Sequence, residues 1–213
     1  MGSVSEHFIV EEREYANVLH LISADGMNRL TQDRIAALTA SVDRLKTAGS
    51  TSAGRGHLKA LIVRGNQHYF SVGADLHEIA SLHAVDAFEF AKMGQRLMAA
   101  IDGFPAPVYA AISGYCLGGG LDLALACDVR VCAPNAIFGH RGAALGLITG
   151  WGGTQRLPQI LGRARAAQLF SAAEKLDASQ ALDIGLVSEI APDPFARAIH
   201  FTETRSHAEE GEI

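Results

Sequence analysis

Two short apolar runs, Phe8-Ile9-Val10 and Val18-Leu19-His20-Leu21-Ile22, flank a charged, turn-like stretch and predict a β-hairpin or adjacent strands of one sheet. Between residues 31 and 46, Ile35, Leu38, Val42 and Leu45 recur at helical spacing, with Thr31 or Asn28 as the N-cap. Residues 49–56, GSTSAGRG, read as a small-residue loop, and the unbroken apolar run 58–63 has the character of a strand buried on both faces. A turn across 65–74, a helix over 84–101, a second buried strand at 108–112, a further glycine turn and a helix from about Gly120 repeat the order strand, turn, helix. A third strand, Val129-Arg130-Val131-Cys132, precedes a loop and turn region through Gly153, and helices are predicted over 154–161, 163–173 and 179–184. This alternation predicts an α/β architecture. No repeat of fixed period and no low-complexity tract is visible. The polar, acidic stretch 202–213 reads as a frayed end.

With 213 residues and 48% hydrophobic content, the chain can bury one sizeable core, so one compact unit is expected. Eighteen Lys+Arg against 23 Asp+Glu give a formal charge of -5, so neither nucleic acid nor an anionic membrane surface is the expected partner. A phosphate-bearing ligand would need local donors instead. No run of about 18 apolar residues is free of charges and glycines, so no membrane-spanning helix is expected. The opening MGSVSEHFIVEEREY lacks the basic-then-apolar order of a secretory signal, and a cytoplasmic protein is expected. Cys116, Cys127 and Cys132 are too few and too irregular for a disulfide framework or a zinc site, and read as reduced core thiols.

Two segments could carry chemistry. In Tyr69-Phe70-Ser71-Val72-Gly73-Ala74-Asp75-Leu76 an apolar strand exit turns at Gly73 into a short helix, for which Asp75 can serve as N-cap. In Gly114-Tyr115-Cys116-Leu117-Gly118-Gly119-Gly120-Leu121-Asp122, three glycines in a row separate a buried strand from a helix. Such a run is conformationally unfavourable unless a ligand approaches the backbone or helix and sheet pack tightly. The first N-H groups of a helix lack internal partners, so each turn can hydrogen-bond an anion or a polarised carbonyl. Two such turns at the ends of neighbouring strands can present one N-H each to a single point, which is the geometry of an oxyanion hole. Dinucleotide and P-loop fingerprints, HExxH spacing and a GxSxG elbow are all absent, so no metal is expected, and neither Ser71 nor Cys116 is expected to be a nucleophile.

Four strings carry a family resemblance: YFSVGADLHEI at 69–79, PAPVYAAISGYCLGGGLDLALACDVRV at 105–131, GLITGWGGTQRLPQILGRARA at 146–166 and ASQALDIGLVSE at 178–189. Over residues 8–192 the chain closely resembles the crotonase, or enoyl-CoA hydratase/isomerase, superfamily. The resemblance implies a crotonase-like spiral of ββα units with a helical C-terminal region. Residues 1–192 would form the acyl-CoA-binding core, and 193–213 a short helical or frayed segment. It implies an acyl-CoA thioester as substrate, with coenzyme A part of that substrate and no tightly bound cofactor. It also implies assembly as a homotrimer or dimer of trimers.

By motif position, Ala74 and Gly119 would supply the two amides of the oxyanion hole, while Ser71, Val72, Gly73, Ala74, Asp75, Leu76 and Gly118 would contact coenzyme A. Family hydratases use two glutamates; here the first aligns with Asp122 and the second with Gly142, which has no side chain. His140 and Arg141 flank that gap, and His140 is the candidate to replace the missing group. Hydration is the expected reaction. Isomerisation or decarboxylation with one carboxylate, or acyl-CoA binding without chemistry, are the alternatives that Gly142 opens. Trp151 lies in a stretch that also resembles decarboxylase-like relatives, and otherwise reads as a core aromatic.

Overall fold

The computed structural model describes residues 3–51 and 58–211. Strands β1 (Ser3–Val4), β2 (Phe8–Glu12) and β3 (Ala16–Leu21) are followed by helix α1 (Gln32–Thr51), strands β4 (Ala60–Arg64) and β5 (Tyr69–Ser71), and helices α2 (Leu76–Ser81) and α3 (Ala84–Asp102). Then come β6 (Val108–Ile112), β7 (Tyr115–Leu117), α4 (Gly119–Leu125), β8 (Val129–Cys132), β9 (Ile137–Gly139) and a 3-10 turn at Gly142–Leu145. The remaining elements are α5 (Gly153–Leu161), α6 (Arg163–Ala172), β10 (Leu176–Asp177), α7 (Ala178–Asp183), β11 (Glu189–Ile190) and α8 (Pro194–Gly211).

Among the described residues the larger sheet runs β1-β2-β3-β4-β6-β8-β11. The β2–β3 pair is the expected antiparallel hairpin, and from β3 onward the strands are parallel. Side chains alternate between faces, and both faces here are apolar. Leu61, Val63, Val108, Ala110 and Ile112 enter the main core with α1 and α3, while Ala60, Ile62, Tyr109 and Ala111 form a second cluster on the opposite face. Helix α8 covers that second cluster through Phe195, Ala198, Ile199 and Phe201. Asp193 caps it, its Oδ1 accepting the N-H groups of Phe195 and Ala196 at 3.0 Å each. The polar run expected to fray is helical as far as Gly211, and Thr202 and Ser206 are buried within it.

The two candidate caps of α1 separate cleanly. Thr31 Oγ1 accepts the Arg34 N-H at 3.2 Å and caps the helix. Asn28 instead sits at φ 53°, and its side-chain amide donates to the carbonyls of Tyr69 and Phe70 at 3.2 Å. Helix α1 also extends past the expected limit to Thr51, and the rest of the expected loop, 52–56, lies outside the described residues.

A second sheet, ordered β10-β9-β7-β5, occupies what sequence patterning read as turns and loop. Its strands are two or three residues long, too short for a period-two signal. Strand β7 runs parallel to both β5 and β9, with Tyr69 opposite Tyr115 and Leu117 opposite Gly139. The exits of β5, β7 and β9 therefore lie side by side, which places Ala74, Gly119 and His140 in one region.

Candidate active site

The bends after β5 and β7 touch. Gly73 has φ 88°, and a Cβ built on it would lie 2.7 Å from Gly119 N and 2.7 Å from Leu117 O. Gly118, at φ 51° and ψ -122°, holds a conformation that residues with a side chain rarely adopt. The two residues after it are glycines for steric reasons: a Cβ on Gly119 would meet the Trp151 ring at 2.2 Å, and one on Gly120 would meet Ser71 O at 2.4 Å.

At the two bends some amides are engaged and others, those of Ala74, Leu76, Gly119 and Gly120 among them, have no acceptor among the described residues. The Val72 N-H donates to Met27 O at 3.2 Å and the Gly118 N-H to Gly139 O at 2.9 Å. Buried Ser71 accepts the Gly73 N-H at 3.1 Å through Oγ, which itself donates to Asn28 O at 2.8 Å. Asp75 caps α2, accepting from His77 and Glu78, and Leu76 is exposed. The amides of Ala74 and Gly119, both half-buried residues, donate to no acceptor among the described residues.

Three residues on from Gly119, Asp122 is buried in α4. His140, at the exit of β9, is also buried and packs against Phe170 with ring centroids 5.0 Å apart. His140 Nε2 and Asp122 Oδ1 are 3.3 Å apart, without the alignment of a hydrogen bond, and neither atom has another hydrogen-bond partner among the described residues. Burial pushes the Asp122 carboxyl up to about 7, against the opposing pull of the Thr149 hydroxyl, Arg156 and the Gly153 amide. Burial also pulls His140 down to about 4.

The segment that closes over this pair is 149–153. Thr149 Oγ1 donates to Asp122 Oδ2. Trp151 is buried, packs edge-on against Phe90 with centroids 5.2 Å apart, and fills the space that side chains on Gly94 and Gly119 would need. A Cβ on Gly153 would stand 2.1 Å from Asp122 Oδ1 and 3.0 Å from His140 Nε2, so the start of α5 reaches the pair only because Gly153 lacks one. Sequence reasoning missed Thr149 and Gly153: nothing local marks a threonine as the partner of a carboxylate 27 residues earlier. Arg141 is exposed, as are His68, His77 and His83, and no cluster of metal-ligating side chains occurs among the described residues. Cys116, Cys127 and Cys132 are buried free thiols. No helix among the described residues is long and apolar enough to cross a membrane.

The paired shifts make a testable statement about stability. Alone, Asp122 has a folded value raised from 3.8 to about 7, so its contribution is full at low pH and is lost as pH rises through that interval. Alone, His140 has a folded value lowered from 6.5 to about 4, so stability is lost as pH falls through that interval. Between about pH 4 and 6.5 the pair holds one proton in either state, on Asp122 when folded and on the imidazole when unfolded, and the two effects cancel. Asp122→Asn should therefore lose stability relative to wild type as pH falls from 6.5 to 4, and His140→Gln as pH rises from 4 to 6.5, each by at most about 1.4 kcal/mol per pH unit. Denaturant titrations across that range test this; parallel curves for all three proteins would refute it.

The profile of the enoyl-CoA hydratase/isomerase family matches residues 18–205. The chain is 36% identical over 186 residues to crotonyl-CoA hydratase of Syntrophomonas wolfei, covering 87% of this chain and 69% of that protein. It is 41% identical over 167 residues to a probable enoyl-CoA hydratase of Bacillus subtilis, covering 78% of this chain and 62% of that protein, so it spans under two thirds of that relative's length. The crystal structure of an enoyl-CoA hydratase from Bacillus anthracis superposes with a TM-score of 0.85 at 29% identity, over 93% of this chain and 76% of that one. On the family match and these identities, the chain belongs to the enoyl-CoA hydratase/isomerase family.

Proposed function

We propose that the protein binds an acyl-CoA thioester and stabilises the enolate of its acyl group, with the Ala74 and Gly119 amides on the thioester oxygen and Asp122 with His140 as proton carriers. The observation that carries this reading is the pair of unengaged amides of Ala74 and Gly119 at touching bends, beside a buried carboxyl and imidazole whose Oδ1 and Nε2 lie 3.3 Å apart. Main-chain groups of residues 71–76 and Gly118 would line the coenzyme A path. Ala74 and Leu76 are residues there whose amides remain open, whereas Val72, Gly73 and Gly118 use theirs internally. The reading takes residues 1–192 as the acyl-CoA-binding core and 193–213 as its C-terminal helical segment, in a homotrimer or dimer of trimers in the cytoplasm. Buried free thiols support a reducing compartment.

In hydration of a 2-enoyl thioester, the water oxygen bonds to C3 while its proton passes to neutral His140, and protonated Asp122 delivers a proton to C2. The resulting imidazolium and carboxylate reset by a proton transfer across 3.3 Å. Oδ1 and Nε2 are closed to solvent in the free protein, so substrate reaches them only when the covering 149–153 segment shifts.

Gly142 favours a second reading, migration of the double bond in a 3-enoyl thioester. A Cβ at that position would lie 2.6 Å from Leu147 O, so the backbone leaves no room for the second carboxylate of family hydratases. Double-bond migration needs one proton relay only: Asp122 takes a proton from C2 and returns it to C4. Assays of the purified, folded protein on crotonyl-CoA, a 3-enoyl-CoA and a malonyl-type thioester separate the readings. Turnover of crotonyl-CoA is expected; turnover of the 3-enoyl thioester alone selects isomerisation, and of the malonyl type alone, decarboxylation. Tight binding with no turnover indicates an acyl-CoA-binding protein, and absence of both overturns the proposal.

A further inference from the structure

The carboxyl of Asp122 has two oxygens, and its surroundings treat them differently. Oδ2 accepts the Thr149 hydroxyl proton, and the same Thr149 Oγ1 accepts the Trp151 N-H at 3.4 Å. A hydroxyl has one proton to give. With that proton directed to Oδ2 and one lone pair of the oxygen engaged by the Trp151 N-H, Thr149 is held as a donor. Oδ1 is left without a hydrogen-bond partner among the described residues, and it is the oxygen facing His140 Nε2 at 3.3 Å. Thr149 stands where the exposed 141–148 segment meets the buried Trp151, whose ring lies against Gly119. One short segment thus touches both the carboxyl and the helix start that offers the Gly119 amide.

We propose that Thr149 is a positioning residue that fixes the Asp122 rotamer and assigns proton exchange to Oδ1, the oxygen shared with His140. The proposal rests on the reading of Asp122 as a proton carrier and names the group that orients it. A hydrogen bond donated to a carboxylate favours its charged form, so Thr149 also keeps the carboxyl from being more strongly protonated than burial alone would make it. The other groups facing Asp122 are His140 from the exit of β9, Arg156 and the Gly153 amide from α5, and the buried Cys116 thiol on β7, and none of them contacts Oδ2 with a hydroxyl.

Thr149→Val keeps the branched shape and removes the donor; Thr149→Ser keeps the donor. With carbon-13-labelled aspartate, the Asp122 carboxyl resonance is assigned by its absence in Asp122→Asn and titrated in each variant. In Thr149→Val it should titrate at higher pH than in wild type. On crotonyl-CoA, kcat should fall roughly tenfold to a hundredfold with KM little changed, because the proton donor is misplaced while binding is intact. Thr149→Ser should restore both the titration and kcat, which a role in packing alone would not predict. A Thr149→Val protein that titrates as wild type, or a Thr149→Ser protein as impaired as the valine variant, overturns the assignment. If Asp122→Asn turns over normally, the proton-carrier reading itself fails. If Asp122→Asn is inactive while Thr149→Val is unaffected, only the role given to Thr149 fails. Should wild type turn over none of the thioesters, the carboxyl titration alone decides whether Thr149 sets the state of Asp122.

Discussion

Asp122→Asn should abolish most turnover while leaving acyl-CoA binding and folding in place. The carboxyl is buried and is held near neutrality, with a value of about 7, so an uncharged amide of the same shape resembles its protonated form. Thr149 can still donate to the amide oxygen, and α4 loses no packing. What disappears is the exchangeable proton. General acid or base assistance is typically worth about a hundredfold to ten-thousandfold, and with Gly142 offering no second carboxylate the full loss should be felt in kcat. Measured side by side, steady-state kinetics and calorimetric binding of a coenzyme A thioester should show kcat reduced on that scale and affinity unchanged. A variant within tenfold of wild-type kcat would remove Asp122 from the chemistry.

Gly73→Ala should be nearly as damaging by a different route. The residue sits at φ 88°, where a side chain strains the backbone by roughly 1 to 2 kcal/mol. The larger consequence is steric, because the added methyl would stand 2.7 Å from Gly119 N and from Leu117 O. Both atoms are backbone, so relief requires the β7–α4 bend to move away from the β5–α2 bend. Removing one donor of an oxyanion hole lowers kcat by about a hundredfold to a thousandfold, and separating the two amides should do the same. Gly146→Ala is the control: it too has positive φ, 68°, but a Cβ there meets nothing within 4 Å. It should cost about 1 kcal/mol of stability and leave kcat alone. Equal kcat for Gly73→Ala and Gly146→Ala would mean that the distance between the bends does not matter.

Elements of five or more residues with apolar periodicity were legible from the chain alone: the β2–β3 hairpin, the two-sided strands β4 and β6, and helices α1 and α3. The small sheet was not, although it builds the site. Its strands contribute two or three residues each, and their pairing partners lie tens of positions away, so no window along the chain contains the signal. The glycines at 73 and 118–120 were visible as unusual, but three different causes hid behind one composition: backbone conformation at Gly118, an indole against Gly119 and a neighbouring strand against Gly120. Asp122 stood out by its place after those glycines. The depth of His140 could not be read, since the next residue, Arg141, is exposed and the burial comes from Phe170 on a distant helix. Thr149 lay hidden for the same reason, a polar residue in a polar-looking loop whose partner is elsewhere in the sequence.

A crystal structure of the protein with a non-hydrolysable acyl-CoA analogue addresses the convergence of the two amides directly. The thioester oxygen is expected to accept from both Ala74 N-H and Gly119 N-H, at about 2.7 to 3.1 Å from each nitrogen. An analogue seated with its carbonyl oxygen bonded to neither amide, or bonded to groups on another face of the chain, would contradict it.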